Sequence, residues 1–314
     1  MEALLNNKLF FIHNSQSLRG RNMGSHGSLP LTIVFIASLA TAFFFIYGLI
    51  GWNVLLSFTK SMGLITSYEL TGLTQYVKAG SDPVFQISLK NNLMLIVLFI
   101  PGSIGLGLLL AVLLDLVGGR GETLYRTIYL LPFSLSFVTT ASMWAWMYNY
   151  SYGVVNTLLT ALLGRALQVN WLGDPNIALY SVILALIWQF SGYTALVFLA
   201  GIKSIPESQI NAARIDGASA FQLYTRIVIP QLKPWILSAF VVLMVFALKA
   251  FDFIYVLTNG GPGVSTYVLA LLMFRRAFFE TDFPYGAALA TILFTMVISV
   301  VVPYLLLSSR KGEK

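Results

Sequence analysis

Six stretches of this chain are each long and apolar enough to cross a bilayer: residues 30–58, 85–114, 124–148, 177–201, 235–257 and 284–307. A span needs about 20 mainly apolar residues. Backbone N–H and C=O groups meet no water in the hydrocarbon region, so each stretch must satisfy them internally as a helix. A β-barrel would instead show strands of about ten residues with alternating polarity, and that pattern is missing. Charged residues make up 10% of the 314 and hydrophobic residues 57%. A soluble domain carries about 25% charged residues, so the soluble classes are excluded. The expectation is an all-α polytopic protein of the cell (inner or plasma) membrane with six transmembrane helices. The first apolar run exceeds the core of a signal peptide, and no cleaved leader is expected.

Charge orients the spans. With the amino terminus inside, the inner segments hold Lys8, Arg19, Arg21, Arg120, Arg126, Lys203, Arg214, Arg226, Lys233, Arg310, Lys311 and Lys314. The outer segments hold Lys60, Lys78, Arg165, Arg275 and Arg276. Twelve basic residues against five obey the positive-inside rule. Both termini and the segment 202–234 are therefore expected in the cytoplasm. The division is a tail at 1–29, a six-helix membrane domain at 30–310 that includes 202–234, and a short tail at 311–314.

The net charge of +7 belongs to the ends of apolar runs rather than to one basic face, so nucleic acid is not an expected partner. Cysteine is absent, which removes disulfides and thiolate metal sites. Both histidines, His13 and His26, lie in the tail, and no metal site is expected. "GGRGET" at Gly118–Thr123 is too short for a phosphate loop and lacks its lysine. No serine has a histidine base within a helical core. No catalytic residues and no bound cofactor are expected.

One polar island interrupts the apolar pattern. "PESQINAARIDGASAFQLYTRIVIP" runs from Pro206 to Pro230. Ser204 can cap a helix that has Pro206 early and Glu207 three residues after the serine. Asp216-Gly217 breaks that helix. A second piece then places Phe221, Tyr224 and Val228 on one side. The element is either a cytoplasmic loop with its apolar residues on the lipid surface or a rigid protrusion that enters a groove in a soluble partner. Its length, beyond that of a plain connection, favours docking.

"NAARIDGASAFQLYTRIVIPQLKP" resembles the cytoplasmic EAA loop of permease subunits in binding-protein-dependent ATP-binding-cassette importers, nearest the maltose-type sugar permeases. That resemblance matches Ala212 and Ala213 to the paired alanines and Asp216 and Gly217 to the turn. Ala218 follows the turn, and Ile227, Ile229 and Pro230 close the motif. Asn211 departs from the family's usual glutamate: it keeps a hydrogen-bonding side chain and loses the charge, with Glu207 one turn earlier. "LTNGGPGVSTYVLALLMFRRAFFETDFPYGAALA" at Leu257–Ala290 resembles the loop and sixth-helix entry of the same permeases. The likeness covers roughly residues 30–310. It implies an importer permease fold, a coupling helix docked on an ATPase subunit, two ATPases carrying ATP and Mg, a second and different permease subunit, an extracytoplasmic solute-binding protein, and a sugar as substrate.

Polar and aromatic groups within spans mark a candidate path. Lys249 and Asp252 are three apart in the fifth span, where they can pair with each other or meet substrate. "IWQFSGY" in the fourth span carries Trp188, Gln189, Ser191 and Tyr193. Ring faces beside hydrogen-bonding groups suit a sugar, and aromatic packing explains the same residues equally well. Asn91 and Asn92 in the second span can line that cavity or bond across helices. "SLSFVTTAS" in the third span reads as small residues for close packing. Trp52, Trp144, Trp146, Trp171 and Trp235 lie near span ends, most of them as interface anchors. Outside, Gly260, Gly261 and Pro262 form either a turn cap on the fifth helix or, by the resemblance, a loop near the binding protein.

Other readings are the same machine carrying a polyol or glycerol phosphate, an ion-coupled secondary transporter, and a non-transporting scaffold. A secondary transporter predicts broken helices in repeated halves, and no such repeat is visible.

Overall fold

The computed structural model describes residues 28–62, 65–165 and 168–309. The remaining tail residues, with His13, His26 and the charges of both tails, lie outside the described residues. Two compact units are present, Met1–Trp52 and Asn53–Lys314.

The described part of the first unit is helical. It contains α1 (Ser28–Phe43), a π turn (Phe44–Gly48) and the start of α2 (Leu49–Ser57). Apolar side chains from Ile33 to Leu49 are exposed around it, which is stable only in an apolar solvent.

In the second unit a two-stranded hairpin follows, β1 (Thr59–Met62) and β2 (Ile65–Leu70), with Lys60 opposite Glu69. The all-α expectation is corrected here: the protein is mostly helical. The loop also holds a short helix, α3 (Thr74–Ser81). Asp82 then caps α4 (Pro83–Val117) by accepting from the Val84 amide at 2.9 Å. Proline at the first helical position fits, because its missing N–H would have no partner there.

The third expected span is broken. α5 (Gly119–Ser134) and α6 (Phe137–Met147) meet at 95°. Pro132 withholds a backbone donor, Leu135 is extended, and Ser136 caps α6 through the Thr139 amide. α7 (Val154–Leu163) occupies the next connection, and α8 (Ala178–Lys203) forms the hub. In its most apolar stretch 67% of residues are buried, against 6% for the last span. Gly192 lets α5 approach: a Cβ there would lie 1.8 Å from the Tyr129 carbonyl oxygen.

The island comprises α9 (Glu207–Ile215), α10 (Ala220–Leu223), a π turn (Tyr224–Val228) and α11 (Ile229–Gln231). It bends by 65° into α12 (Lys233–Leu248). The fifth expected span is also broken, over residues 249–251, before α13 (Asp252–Thr258). α14 (Leu269–Phe274) and a π turn (Arg275–Phe279) precede α15 (Phe283–Ser309). Among the described residues four helices are long and apolar enough to cross a membrane, or up to six if each bent pair is one span.

One charged staple joins the start of α4 to the start of α15. Asp82 accepts from Arg276 and from the Tyr285 hydroxyl, each at 2.9 Å. Lys78 pairs with Asp282 beside it.

Candidate functional site

The island is built as a rigid knuckle. α9 ends in a paired-hydrogen-bond cap: the Ala218 amide donates to Ala213 O and the Gly217 amide to Arg214 O. Gly217 takes φ +81°, the left-handed region that this cap demands. Ser219 and Gln222 close a reciprocal capping box on α10. Ser204 is different from the expectation. It donates to Gly201 O and finishes α8, while Pro206 occupies the position before α9 without a side-chain cap.

The two faces of the knuckle differ. Ala213, Leu223, Tyr224 and Val228 pack against Phe198, Ile202 and Leu232. Ile215 and Phe221 project outward, 85% and 78% exposed. Phe221 therefore leaves the stripe expected for it with Tyr224 and Val228: the capping box sets the helix phase at Ser219, and the π turn then rotates the following residues. Glu207, Asn211, Ala212, Asp216 and Pro230 are also exposed, and Ala218 is half-buried. Asp216, Gly217, Gln222 and Arg226 rim a small polar hollow at the tip.

Asp115, near the end of α4, ties the knuckle to the spans. Its Oδ2 accepts from the Tyr224 hydroxyl at 2.6 Å, and its Oδ1 pairs with Lys203 at 2.8 Å. Lys203 also reaches Glu122 of α5 at 3.1 Å. Three spanning segments and the island share one polar knot.

The break between α5 and α6 exposes Ser134, Leu135, Ser136 and Thr139. Irregular backbone at membrane depth persists only inside protein or beside a water-filled space. Gln189 is fully buried, donates a long bond of 3.5 Å to Leu135 O, and keeps its Oε1 unpartnered. Tyr193 stacks on Phe133 at 5.1 Å, and Trp188 meets Trp144 edge-on. Trp144 is accordingly a core residue and not an interface anchor. Ser191 is buried and donates to Trp188 O.

Phe246 brings the two breaks together. It lies 5.0 Å from Phe137, the first residue of α6, and 4.3 Å from Phe190 of α8. The break at 249–251 opens on a groove of about 600 Å³ walled by Phe251, Met273, Phe274, Leu293 and Phe294, with Lys249 as its single charged side chain. Lys249 and Asp252 form no ion pair among the described residues. The helix that would have put them on one face ends at Leu248, and Asp252 instead starts α13, where a carboxylate favours the helix dipole.

Asn91 and Asn92 bond across helices. The Asn91 carboxamide donates to Ser265 O at 2.9 Å and Tyr267 O at 2.8 Å; that of Asn92 donates to Ala247 O and accepts from the Leu269 amide. The loop they hold turns at Gly260, φ +88°. The buried Thr266 hydroxyl donates to Gly261 O, and Pro262 O accepts from the Ser265 amide. Among the described residues no group of three or more His, Asp or Glu is placed to hold a metal ion.

Residues 84–308 match the family described as binding-protein-dependent transport system inner membrane component. The chain belongs to this permease family. It is a transport subunit and not an enzyme. A probable ABC transporter permease protein of Pyrococcus horikoshii is 56% identical over 91% of this chain and 98% of that protein. The xylose/arabinose import permease XacH of Haloferax volcanii is 46% identical over 97% and 92%. A trehalose/maltose transport system permease of Thermococcus litoralis is 35% identical over 80% and 83%. A bacterial alginate ABC transporter chain, crystallised with its alginate-bound periplasmic protein, shares the fold with a TM-score of 0.77 at 23% identity, over 91% of this chain and 96% of that one.

Three features of this permease escaped the sequence reading: the Asp115–Lys203–Glu122–Tyr224 knot, the Asp82–Arg276–Tyr285 staple, and the two broken spans. A usable signal existed for the first. Opposite charges, Asp115 and Lys203, stand at the ends of two apolar runs that the topology puts on one side.

Proposed function

We propose that this permease forms half of the membrane path of an ATP-driven importer for a sugar or oligosaccharide. Residues 30–310 make up the six-span membrane domain, with α5 and α6 together as the third span and α12 and α13 together as the fifth. The tails 1–29 and 311–314 and the island 202–234 face the cytoplasm; the twelve-to-five basic bias supports that orientation. The island docks on one of two ATPase subunits, which carry ATP and Mg. A second, different permease completes the path, and an extracytoplasmic binding protein delivers solute near Gly260–Pro262. Closure of the ATPases moves the knuckles and biases the spans between two arrangements.

One observation carries the coupling role: apolar Ile215 and Phe221 stand free at the tip of an element whose other face is locked to three spans through Asp115. Docking would bring the EAA-loop residues Glu207, Asn211, Ala212, Ala213, Asp216, Gly217, Ala218, Phe221 and Pro230 to or beneath that contact. For the path, exposed Ser136 and Thr139 and the Phe133–Tyr193 stack supply hydroxyl partners and ring faces together, with buried Gln189 behind them on Leu135 O. Trp188 and Ser191 support that wall. The carbohydrate names of several relatives favour a sugar.

A polyol or glycerol phosphate is the second reading, and Lys249 favours it, as a cation at an apolar groove without an ion-pair partner among the described residues. The test is calorimetry on the companion binding protein with xylose, arabinose, maltose, trehalose, glycerol and glycerol phosphate. Uptake of the same radiolabelled solutes by vesicles holding the full complex then follows. Binding and uptake of one or more sugars support the main reading. Preference for glycerol phosphate replaces it with the second, and failure of every carbohydrate overturns it.

A further inference from the structure

The break in the fifth span leaves backbone groups that a membrane interior cannot solvate. α12 ends at Leu248, so the carbonyls of its last turn lose their helical partners. Lys249 N–H serves Val245 and Phe246. Of the carbonyls left, that of Ala247 accepts from the Asn92 carboxamide at 3.1 Å. α14 begins at Leu269 after Val268, which offers no side-chain cap. The Leu269 N–H donates to Asn92 Oδ1 at 2.8 Å. A single fully buried side chain on α4 therefore closes the end of one helix and the start of another. Its neighbour Asn91 serves a different segment, the carbonyls of Ser265 and Tyr267.

We infer that Asn92 is a positioning residue for transport, fixing the break at 249–251 so that Lys249 and Phe251 line the groove. This rests on the proposed importer function for its meaning, and its geometry can be tested without any solute. A leucine of similar size would fill the space and leave both backbone groups unserved. The chain would then recover partners by winding α12 onward or by admitting water, and either would move residues 249–251. Asn91 holds the outer loop, so its loss would leave the break in place.

The chain has no cysteine, which allows a single reporter. Ala250, 1% exposed at the break, is replaced by cysteine in the assembled importer, and N-ethylmaleimide is the probe. N92L is expected to raise the labelling rate at least fivefold, while N91L leaves it within twofold of the parent. Solute moved per ATP should fall about tenfold in N92L, with basal ATP hydrolysis retained. If N92L does not assemble, N92D is read in its place. It keeps the shape and an acceptor for Leu269 but, when ionised, has no donor for Ala247; faster labelling than the parent supports the inference. Parent-like labelling in the variant read, or equal acceleration by N91L and N92L, overturns it. If no sugar is carried even by the parent, the function proposal fails, and the labelling result still decides the role of Asn92.

Discussion

The Tyr224 hydroxyl donates to Asp115 Oδ2 at 2.6 Å, joining the knuckle to a residue 109 positions earlier in the chain. Lys203 holds the other oxygen of the same carboxylate. Tyr224 is buried, whereas the Lys203 side chain is half exposed. A hydrogen bond to a charged group contributes about 1.5–3 kcal/mol, and an exposed ion pair about 0–1 kcal/mol. Y224F should therefore loosen the knuckle more than K203M. Thermal unfolding of the purified complex checks this; an equal or reversed order would contradict it.

Ile215 and Phe221 form the exposed tip proposed to dock. I215D/F221D replaces both apolar tips with charges that point away from the membrane helices, so insertion should be unaffected. Co-purified ATPase subunit should fall at least tenfold, read as stoichiometry on a gel. Normal stoichiometry would remove the tip from the contact.

Gly192 admits the backbone of α5 against α8. In G192A the added carbon meets a carbonyl oxygen that belongs to backbone and cannot rotate away. Overpacking of this kind costs about 1–3 kcal/mol. The variant should unfold several degrees lower and carry solute poorly. An unchanged melting curve would mean that the two helices separate freely.

Asp82 gives its staple to Arg276 and Tyr285 a defined acid limit. Burial pushes its carboxyl upward, but the Val84 amide, the Tyr285 hydroxyl and the Arg276 guanidinium outweigh that and hold it below its ordinary 3.8. A depressed folded value means that the stabilisation is fully present above the unfolded value and fades as pH falls through the folded one. The wild-type melting advantage over D82N should be constant from pH 7 to about pH 5. It should shrink below 3.8. An advantage independent of pH would place the contribution outside the Asp82 charge.

The spans and the island were legible because each is written locally, as an apolar run or as caps and a glycine turn. The breaks were not. Residues 124–148 and 235–257 read as continuous helices because apolar content carries no record of which backbone groups a distant side chain will serve. Asn92 satisfies Ala247 and Leu269 from 155 and 177 positions away, and Gln189 reaches Leu135 across 54. The same distance hid the Asp115 knot. Phe221 misled for another reason: a spacing of three and four assumes one uninterrupted helix, and the π turn at Tyr224–Val228 changes that period. Lys249 and Asp252 failed to pair because the helix assumed between them ends first.

The central claim is that the knuckle transmits work from a separate ATPase to this permease. Vesicles containing both permease subunits and the loaded binding protein are assayed for solute uptake with the ATPase subunits present, absent, and present with I215D/F221D. ATP-dependent uptake is expected in the first case and none above leak in the other two. Uptake at the full rate without the ATPase subunits would contradict it.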